Sequence, residues 1–321
     1  LISDWAAIEE MIYHGYCADR REAAVRAAEA GVDIDMMTGI YSEHLCSLVR
    51  EGKIPQKLVD EAAARILELK NKLGLFENPY KDADEKAEKE IILCEEHKEL
   101  AREAARKSFV LLKNEDILPL EKGSKIAYIG PYANNRHMIG SWSIIGESKD
   151  VTTLQEAVKE YDGNAQTVFC AGSPVLGDNI KLEGFVGNEV EEAPVRDCGQ
   201  MLEEAVCAAK AADIVVMALG EHYLQSGEAT SHANIQVPEV QMELFRRVCE
   251  VNERVVVVLF SGRPLDIREI SGKAKAVLQV WMPGTEGARA IVDVLYGAYN
   301  PSGKLPMSFP YCVGQVPVHY N

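Results

Sequence analysis

The stretch AADIVVMALGEH, residues 211–222, indicates the fold class of most of the chain. Its apolar run from Ile214 to Leu219 follows a helical pattern and ends at Gly220. Such a run is typical of a strand that is buried on both faces, as in a parallel sheet. Polar residues, beginning with Glu221, follow directly. The stretch therefore predicts an inner strand of an α/β sheet with polar chemistry at its carboxyl end.

Similar short runs, rich in Val and Ile, alternate with helical patterns over the last two thirds of the chain. Strands are predicted at residues 109–113, 126–130, 167–170, 214–219, 255–260 and 276–281. Helices are predicted at residues 97–107, 153–161, 199–212, 238–252 and 284–297. This alternation predicts an open parallel sheet with helices on both faces. Residues 172–197 show no clear period and are predicted to form a long surface loop.

The first 75 residues show a shorter version of the same alternation. Residues 1–3 can end a strand, residues 32–36 predict the next, and helices are predicted at residues 20–30, 41–52 and 55–74. Two β/α units cannot close a sheet, so they are expected to belong to a larger one. The charged residues after Phe76 have no apolar period, which indicates a linker.

Composition excludes several classes of partner. The formal net charge of -16, from 34 Lys and Arg against 50 Asp and Glu, opposes nucleic acid, whose affinity comes largely from Lys and Arg. No membrane partner is expected, because no apolar run approaches the roughly 20 residues that cross a bilayer. The eight cysteines are scattered singly, which predicts reduced thiols and a cytoplasmic location, with a periplasmic or secreted one as the alternative. Because the first residue is Leu1, the natural start is expected upstream.

No cofactor or metal is predicted. No G-x-G-x-x-G or Walker A sequence follows a predicted strand, and Gly262-Arg263-Pro264 lacks the glycines that close phosphate approach needs. The spacing of His222, Glu228 and His232 matches no metal-ligand motif.

Asp4 and Trp5 are candidate functional residues at the first predicted strand end. Active sites of β/α barrels gather at such ends, so Asp4 is a candidate nucleophile or acid. The alternative is that Ser3 or Asp4 caps a helix. Trp5 suits stacking on the apolar face of a sugar ring, or belongs to the core.

A second group of candidates lies in the sequence GEHYLQSGEATSHAN, residues 220–234, which follows the predicted strand 214–219. Such loops bind ligands in open α/β sheets, although a polar surface loop is the alternative. The candidate side chains are those of Glu221, His222, Glu228 and His232. Trp142, in GSWS at residues 140–143, either contacts a ligand or fills a domain interface.

Several segments, in order along nearly the whole chain, resemble the motifs of one family. They are ISDW at residues 2–5, GVDIDM at 31–36, LGLFENPY at 73–80, VLLKNE at 110–115, LPL at 118–120, GRP at 262–264, GTEG at 284–287 and YNPSGKLP at 299–306. The family is the family 3 glycoside hydrolases. Within it, GSW at 140–142 and VGQVPV at 313–318 look most like the bacterial periplasmic β-glucosidase branch.

The resemblance implies an α/β fold in two domains. Residues 1–75 would be the last two β/α units of a TIM barrel, residues 76–108 a linker, and residues 109–321 an α/β/α sandwich with a mainly parallel sheet. It also implies that the chain is the carboxyl-terminal part of an enzyme, with the missing amino-terminal barrel segment as an expected partner.

The chemistry that the resemblance implies is a retaining, exo-acting β-glycosidase, a β-glucosidase acting on terminal β-glucosyl residues of a β-glucoside or oligosaccharide. Asp4 would be the nucleophile and Glu228 the acid/base. Glu221 is the fallback acid, and the implied substrate-binding residues are Trp5, Trp142, Glu221 and His232. The branch usually carries Arg where His232 stands. The alternatives are β-xylosidase specificity and a non-catalytic carbohydrate-binding or interaction module.

Overall fold

The computed structural model describes residues 1–144, 146–163, 166–177, 182, 197–228 and 230–319. The predicted surface loop at 172–197 lies largely outside these residues. The chain divides into two compact units, Leu1–Lys89 and Glu90–Asn321. None of the described helices is both long and apolar enough to cross a membrane.

Helices dominate the first unit. They are α1 (Ala7–Tyr13), α2 (Arg20–Glu29), α3 (Ile40–Arg50) and α4 (Gln56–Lys72), and α5 (Glu85–Ile91) begins in this unit and ends two residues beyond it. The two predicted strands are represented by one parallel bridge between Ile2 and Ile34. Helix α2 buries small side chains, Ala23, Ala24 and Ala27, against the larger Ile40 and Leu48 of α3. Ile8 of α1 belongs to the same core, directly after the segment that carries the first candidate residues.

The second unit is built around a six-stranded sheet. Its strands are β1 (Val110–Asn114), β2 (Ile126–Ile129), β3 (Val168–Cys170), β4 (Ile214–Gly220), β5 (Val255–Phe260) and β6 (Ala276–Gln279). The strand order is β1-β6-β5-β4-β2-β3. Every neighbouring pair is parallel except β1 and β6, which are antiparallel. The predicted mainly parallel sheet is therefore confirmed.

Helices cover both faces of this sheet, as the alternation predicts. They are α6 (Glu95–Ser108), α7 (Leu154–Tyr161), α8 (Cys198–Ala211), α9 (Glu239–Cys249), α10 (Arg268–Lys273) and α11 (Gly287–Leu295). Residues such as Val216 and Val258 belong to the core beneath α6, α7 and α11. Their neighbours Met217 and Val257 belong to the opposite core, beneath α8, α9 and α10. Since successive side chains of a strand point to opposite faces, the buried runs supply both cores at once.

Helix α6 is held to α11 by a buried carboxylate. Arg102 donates two hydrogen bonds to Asp293, Nε to Oδ2 at 2.7 Å and Nη2 to Oδ1 at 2.6 Å, and Arg106 adds one at 3.3 Å. Helices α5 and α6 fall inside the segment predicted as a linker. The predicted boundaries at residues 75 and 108 stay predictions.

Candidate active site

Asp4 follows the bridge between Ile2 and Ile34 and has an exposed side chain. Its Oδ1 accepts a hydrogen bond from the backbone N–H of Trp5 at 2.7 Å. The N-cap of α1 is Ala6, and no side chain accepts a capping hydrogen bond there. Asp4 is therefore not a helix cap, and its carboxylate faces solvent within this unit.

The backbone on either side of Asp4 is bound to the segment that contains Ile34. Ser3 donates its N–H to Ile34 O at 3.0 Å, and its Oγ accepts the Met36 N–H at 2.9 Å. Ala6 donates its N–H to Met36 O at 3.2 Å. These bonds fix the position of the Asp4 backbone. Trp5 is 64% exposed, so its ring does not belong to the core of this unit.

In the second unit, the end of β4 is fixed by one side chain. Buried Gln241 of α9 accepts the Gly220 N–H at 2.9 Å and donates to Gly220 O at 2.7 Å. A Cβ at Gly220 would lie 1.8 Å from Phe260 O, so β4 and β5 approach closely here. The loop that follows therefore starts from a fixed point.

Glu221, the first residue of this loop, is fully buried. Its Oε1 accepts the Gly262 N–H at 2.7 Å, and its Oε2 lies 3.5 Å from Arg263 Nε. Its backbone oxygen accepts the hydroxyl of buried Tyr132 at 2.6 Å. Burial raises the pKa of the Glu221 carboxyl, and the Gly262 N–H and Arg263 oppose that rise.

Arg263 connects Glu221 to the turn that carries Glu228. Its Nη2 donates to the backbone oxygen of Gln225, before the turn, and to that of Thr230, after it, at 3.3 Å. Ser141 adds a bond from a different loop, with its Oγ donating to Ser226 O at 2.9 Å. The turn is thus held at its base from two sides.

Glu228 itself has an exposed side chain. Its backbone oxygen accepts the Thr230 hydroxyl at 3.0 Å. The preceding Gly227 has φ 130°, and a Cβ there would lie 2.3 Å from Ser141 Oγ and 4.0 Å from Trp142 Cδ1. Trp142 is 60% exposed. The Glu228 turn and the Trp142 ring are therefore neighbours on the surface of the second unit.

Two histidines also belong to this loop. His222 Nδ1 accepts the Leu224 N–H at 3.2 Å, and the Tyr223 ring packs between those of His222 and His137. Burial lowers the pKa of His222 to about 4, and the nearby His137 adds to the effect. Burial, and then the Arg263 charge, lower the pKa of His232, whose Nε2 lies 3.4 Å from Gln225 Nε2. Both shifts favour the neutral imidazole.

The second unit thus brings Trp142, Glu221, Glu228 and His232 to loops at the carboxyl end of its sheet. Of the carboxylates, Glu228 is accessible to a ligand, whereas Glu221 is enclosed. Among the described residues, no group of three or more His, Cys, Asp or Glu side chains could hold a metal ion.

Sequence reasoning missed Arg263, Ser141 and Gln241. The sequence analysis considered Arg263 as part of a phosphate loop and of the GRP family motif, but gave it no role of its own. A usable signal was that Gln241 shares the helical face of Leu244, Phe245 and Val248, where a polar side chain must find buried partners. Nothing comparable in the sequence indicates that Arg263 spans the Glu228 turn.

Both parts of the chain match models of one family. Residues 1–69 match the glycosyl hydrolase family 3 N terminal domain, and residues 109–321 match the glycosyl hydrolase family 3 C-terminal domain.

Curated relatives match the whole chain. The periplasmic beta-glucosidase of Salmonella typhimurium is 40% identical over 100% of this chain and 43% of the relative. A beta-xylosidase of Formosa agariphila is 33% identical over 99% of this chain and 43% of the relative. The chain therefore spans less than half the length of these proteins.

Solved structures of beta-glucosidases also match nearly the whole chain. The beta-glucosidase from Listeria innocua in complex with glucose superposes with a TM-score of 0.84 at 41% identity, covering 100% of this chain and 41% of that chain. The GH3 beta-glucosidase of Bifidobacterium adolescentis gives a TM-score of 0.73 at 28% identity, covering 98% of this chain and 41% of that chain.

Proposed function

The chain belongs to glycosyl hydrolase family 3, and on this basis we propose that it serves retaining hydrolysis of β-glucosides, with Asp4 as nucleophile and Glu228 as acid/base. The observation that carries the proposal is the exposed Asp4 carboxylate at a strand end, next to an exposed Trp5. A carboxylate engaged in capping α1 would not be available to attack a sugar.

In the retaining mechanism, two carboxyl groups divide the work. Asp4 attacks the anomeric carbon and forms a glycosyl-enzyme, while Glu228 gives its proton to the departing oxygen. Glu228 then removes a proton from water, which attacks the glycosyl-enzyme and releases the sugar with its configuration retained. The exposure of both carboxylates supports these roles.

Aromatic rings suit the sugar-binding role. Trp5 and Trp142 are both exposed, which supports stacking on the apolar face of a pyranose ring. We assign His232 a substrate contact as well, made by a neutral imidazole. The sequence predicts Glu221 both as a substrate contact and as a fallback acid. Its full burial instead supports a structural role, in which it binds Gly262 and Arg263.

A β-xyloside is the second candidate substrate. The Formosa agariphila relative, named a beta-xylosidase, supports this possibility. As to location, the single, scattered spacing of the eight cysteines supports the cytoplasm. The Salmonella relative is named periplasmic, which supports the alternative.

The test is hydrolysis of 4-nitrophenyl β-glucoside and β-xyloside by this chain, alone and mixed with a polypeptide that supplies the remaining part of a family 3 barrel. Asp4→Asn and Glu228→Gln should each abolish most of the activity. Asp19→Asn is the matched control, because Asp19 caps α2 and an Asn caps a helix equally well. Sugar binding without hydrolysis in a folded, associated mixture would instead support a non-catalytic carbohydrate-binding module.

A further inference from the structure

Arg263 is placed to control the turn that carries Glu228. One nitrogen, Nη2, donates to Gln225 O and to Thr230 O, so a single guanidinium joins the two ends of the turn. Glu228 lies between these two contacts. Movement of the guanidinium would therefore move both ends of the turn together.

Glu221 in turn holds Arg263. Its carboxylate is fully buried, with one short hydrogen bond, from the Gly262 N–H. Neither Glu221 Oε2 nor Arg263 Nε has a hydrogen-bond partner among the described residues, and the two atoms lie 3.5 Å apart. The Arg263 charge, together with the Gly262 N–H and the Ser226 hydroxyl, therefore offsets the burial of the Glu221 carboxylate. Glu221 is enclosed while the Arg263 side chain is 23% exposed, and an ion pair of this kind stabilises a fold poorly compared with apolar residues of the same size.

Two glycines make close contacts at the base of the turn. A Cβ on Gly227 would overlap Ser141 Oγ, and a Cβ on Gly262 would overlap Ser226 Oγ. Ser141 also donates to Ser226 O at 2.9 Å. Gly227 therefore lies against the Ser141 loop, and buried Ser226 lies against Gly262.

We propose that the Glu221–Arg263 pair is a positioning device, which fixes the Glu228 turn so that the Glu228 carboxyl is aligned with the departing oxygen. This inference rests on the proposed function. Glu221 and Arg263 touch neither substrate nor reacting atoms in this role and act through Glu228. General acid catalysis contributes about 10² to 10⁴-fold to a rate, so misalignment of the acid is measurable.

The experiment compares two β-glucosides in the preparation that hydrolyses 4-nitrophenyl β-glucoside. The 2,4-dinitrophenyl glucoside has an acidic leaving group that departs without protonation, whereas methyl β-glucoside needs the proton of the acid. For Glu221→Gln and Arg263→Lys, kcat/KM should fall by roughly 10 to 100-fold with methyl β-glucoside, a part of the general-acid contribution. With the dinitrophenyl glucoside it should fall by less than about threefold.

The controls separate positioning from folding. Glu269→Gln alters another Glu–Arg pair of the second unit, whose Arg246 partner lies at 2.9 Å, and should affect both substrates equally or neither. Ser141→Ala removes a bond to the turn without burying a charge and should give a smaller selective loss. When Glu221→Gln is added to Glu228→Gln, kcat/KM should not fall further.

Three results would overturn either the positioning role of Glu221 and Arg263 or the assignment of Glu228 as the acid. Equal losses with the two substrates, in folded Glu221→Gln, Arg263→Lys and Ser141→Ala, would overturn the positioning role, as would full additivity with Glu228→Gln. If Glu228→Gln itself retains hydrolysis of methyl β-glucoside, the acid assignment in the proposed function fails instead, and the two failures are distinct.

Discussion

Gly262 lies against Ser226 so closely that a Cβ on Gly262 would stand 2.1 Å from Ser226 Oγ and 2.6 Å from Ser226 Cβ. The backbone of Gly262 is not in the left-handed region. Space, rather than backbone conformation, is therefore what requires glycine at this position. Ser226 is at the start of the turn that carries Glu228, so this contact determines how closely the turn packs against Gly262.

We predict that Gly262→Ala lowers the free energy of unfolding of the second unit by about 1 to 3 kcal/mol, as overpacking does. Gly262→Ala combined with Ser226→Gly should lose less than the sum of the two single variants, because the overlapping atoms are then removed. Denaturant unfolding measures both. Gly272→Ala is the matched control, since nothing lies within 4 Å of its Cβ in helix α10. A loss in the control as large as that of Gly262→Ala would contradict this explanation.

Stability should also depend on pH through His222. Its pKa is lowered to about 4 in the folded protein, below the ordinary value of 6.5, so folding favours the neutral ring. The corresponding stability is fully present above pH 6.5 and is lost as the pH falls towards 4. Protonation of Nδ1 would also remove the acceptor of the Leu224 N–H.

The variant His222→Asn tests this, because an Asn oxygen can accept the same N–H without titrating. At about 1.4 kcal/mol per pKa unit, the wild type should lose up to roughly 2 kcal/mol more than the variant between about pH 7 and about pH 5. Unfolding midpoints at the two pH values measure it. His97→Asn, on the exposed surface of α6, is the control and should lose as much as the wild type. Parallel losses in wild type and His222→Asn would rule out this dependence.

The buried Asp293 should be a larger stability determinant than any exposed charge. Asp293→Asn leaves Arg102 and Arg106 without their shared carboxylate, and removal of one partner of a buried pair costs about 3 kcal/mol. Glu203→Gln, in an exposed pair with Arg247, should cost less than about 1 kcal/mol. Denaturant unfolding gives both values, and hydrogen exchange should show faster opening of α6 in Asp293→Asn alone. Equal costs for the two variants would contradict the assignment.

The regular part of the fold could be predicted from the sequence because buried strands leave an unmistakable pattern. The run Val255–Phe260 was predicted to the residue, since apolar neighbours and polar boundaries coincide there. The direction of β1 could not be predicted, because an antiparallel edge strand has the same composition as a parallel one. Helix α1, from Ala7 to Tyr13, is too short for a clear apolar period.

The site could be predicted only in part. The position of Asp4 and Glu228 after strands, together with the family motifs, singled out both residues. The burial of Glu221 could not be read from the sequence, because it depends on how closely β4 approaches β5 at Gly220. The role of Arg263 depends on its hydrogen bonds to Gln225 and Thr230, which precede it in the sequence by 38 and 33 positions. No local sequence pattern indicates contacts over such separations.

Covalent trapping can identify the nucleophile, which we propose is Asp4. The preparation that hydrolyses 4-nitrophenyl β-glucoside would be treated with 2,4-dinitrophenyl 2-deoxy-2-fluoro-β-glucoside, whose glycosyl-enzyme turns over slowly, and then digested and mapped by mass spectrometry. If Asp4 is the nucleophile, one fluoroglucosyl group should be attached to the peptide that contains Asp4, and the label should be absent in Asp4→Asn. A label on another carboxylate, or hydrolysis without any covalent label, would contradict it.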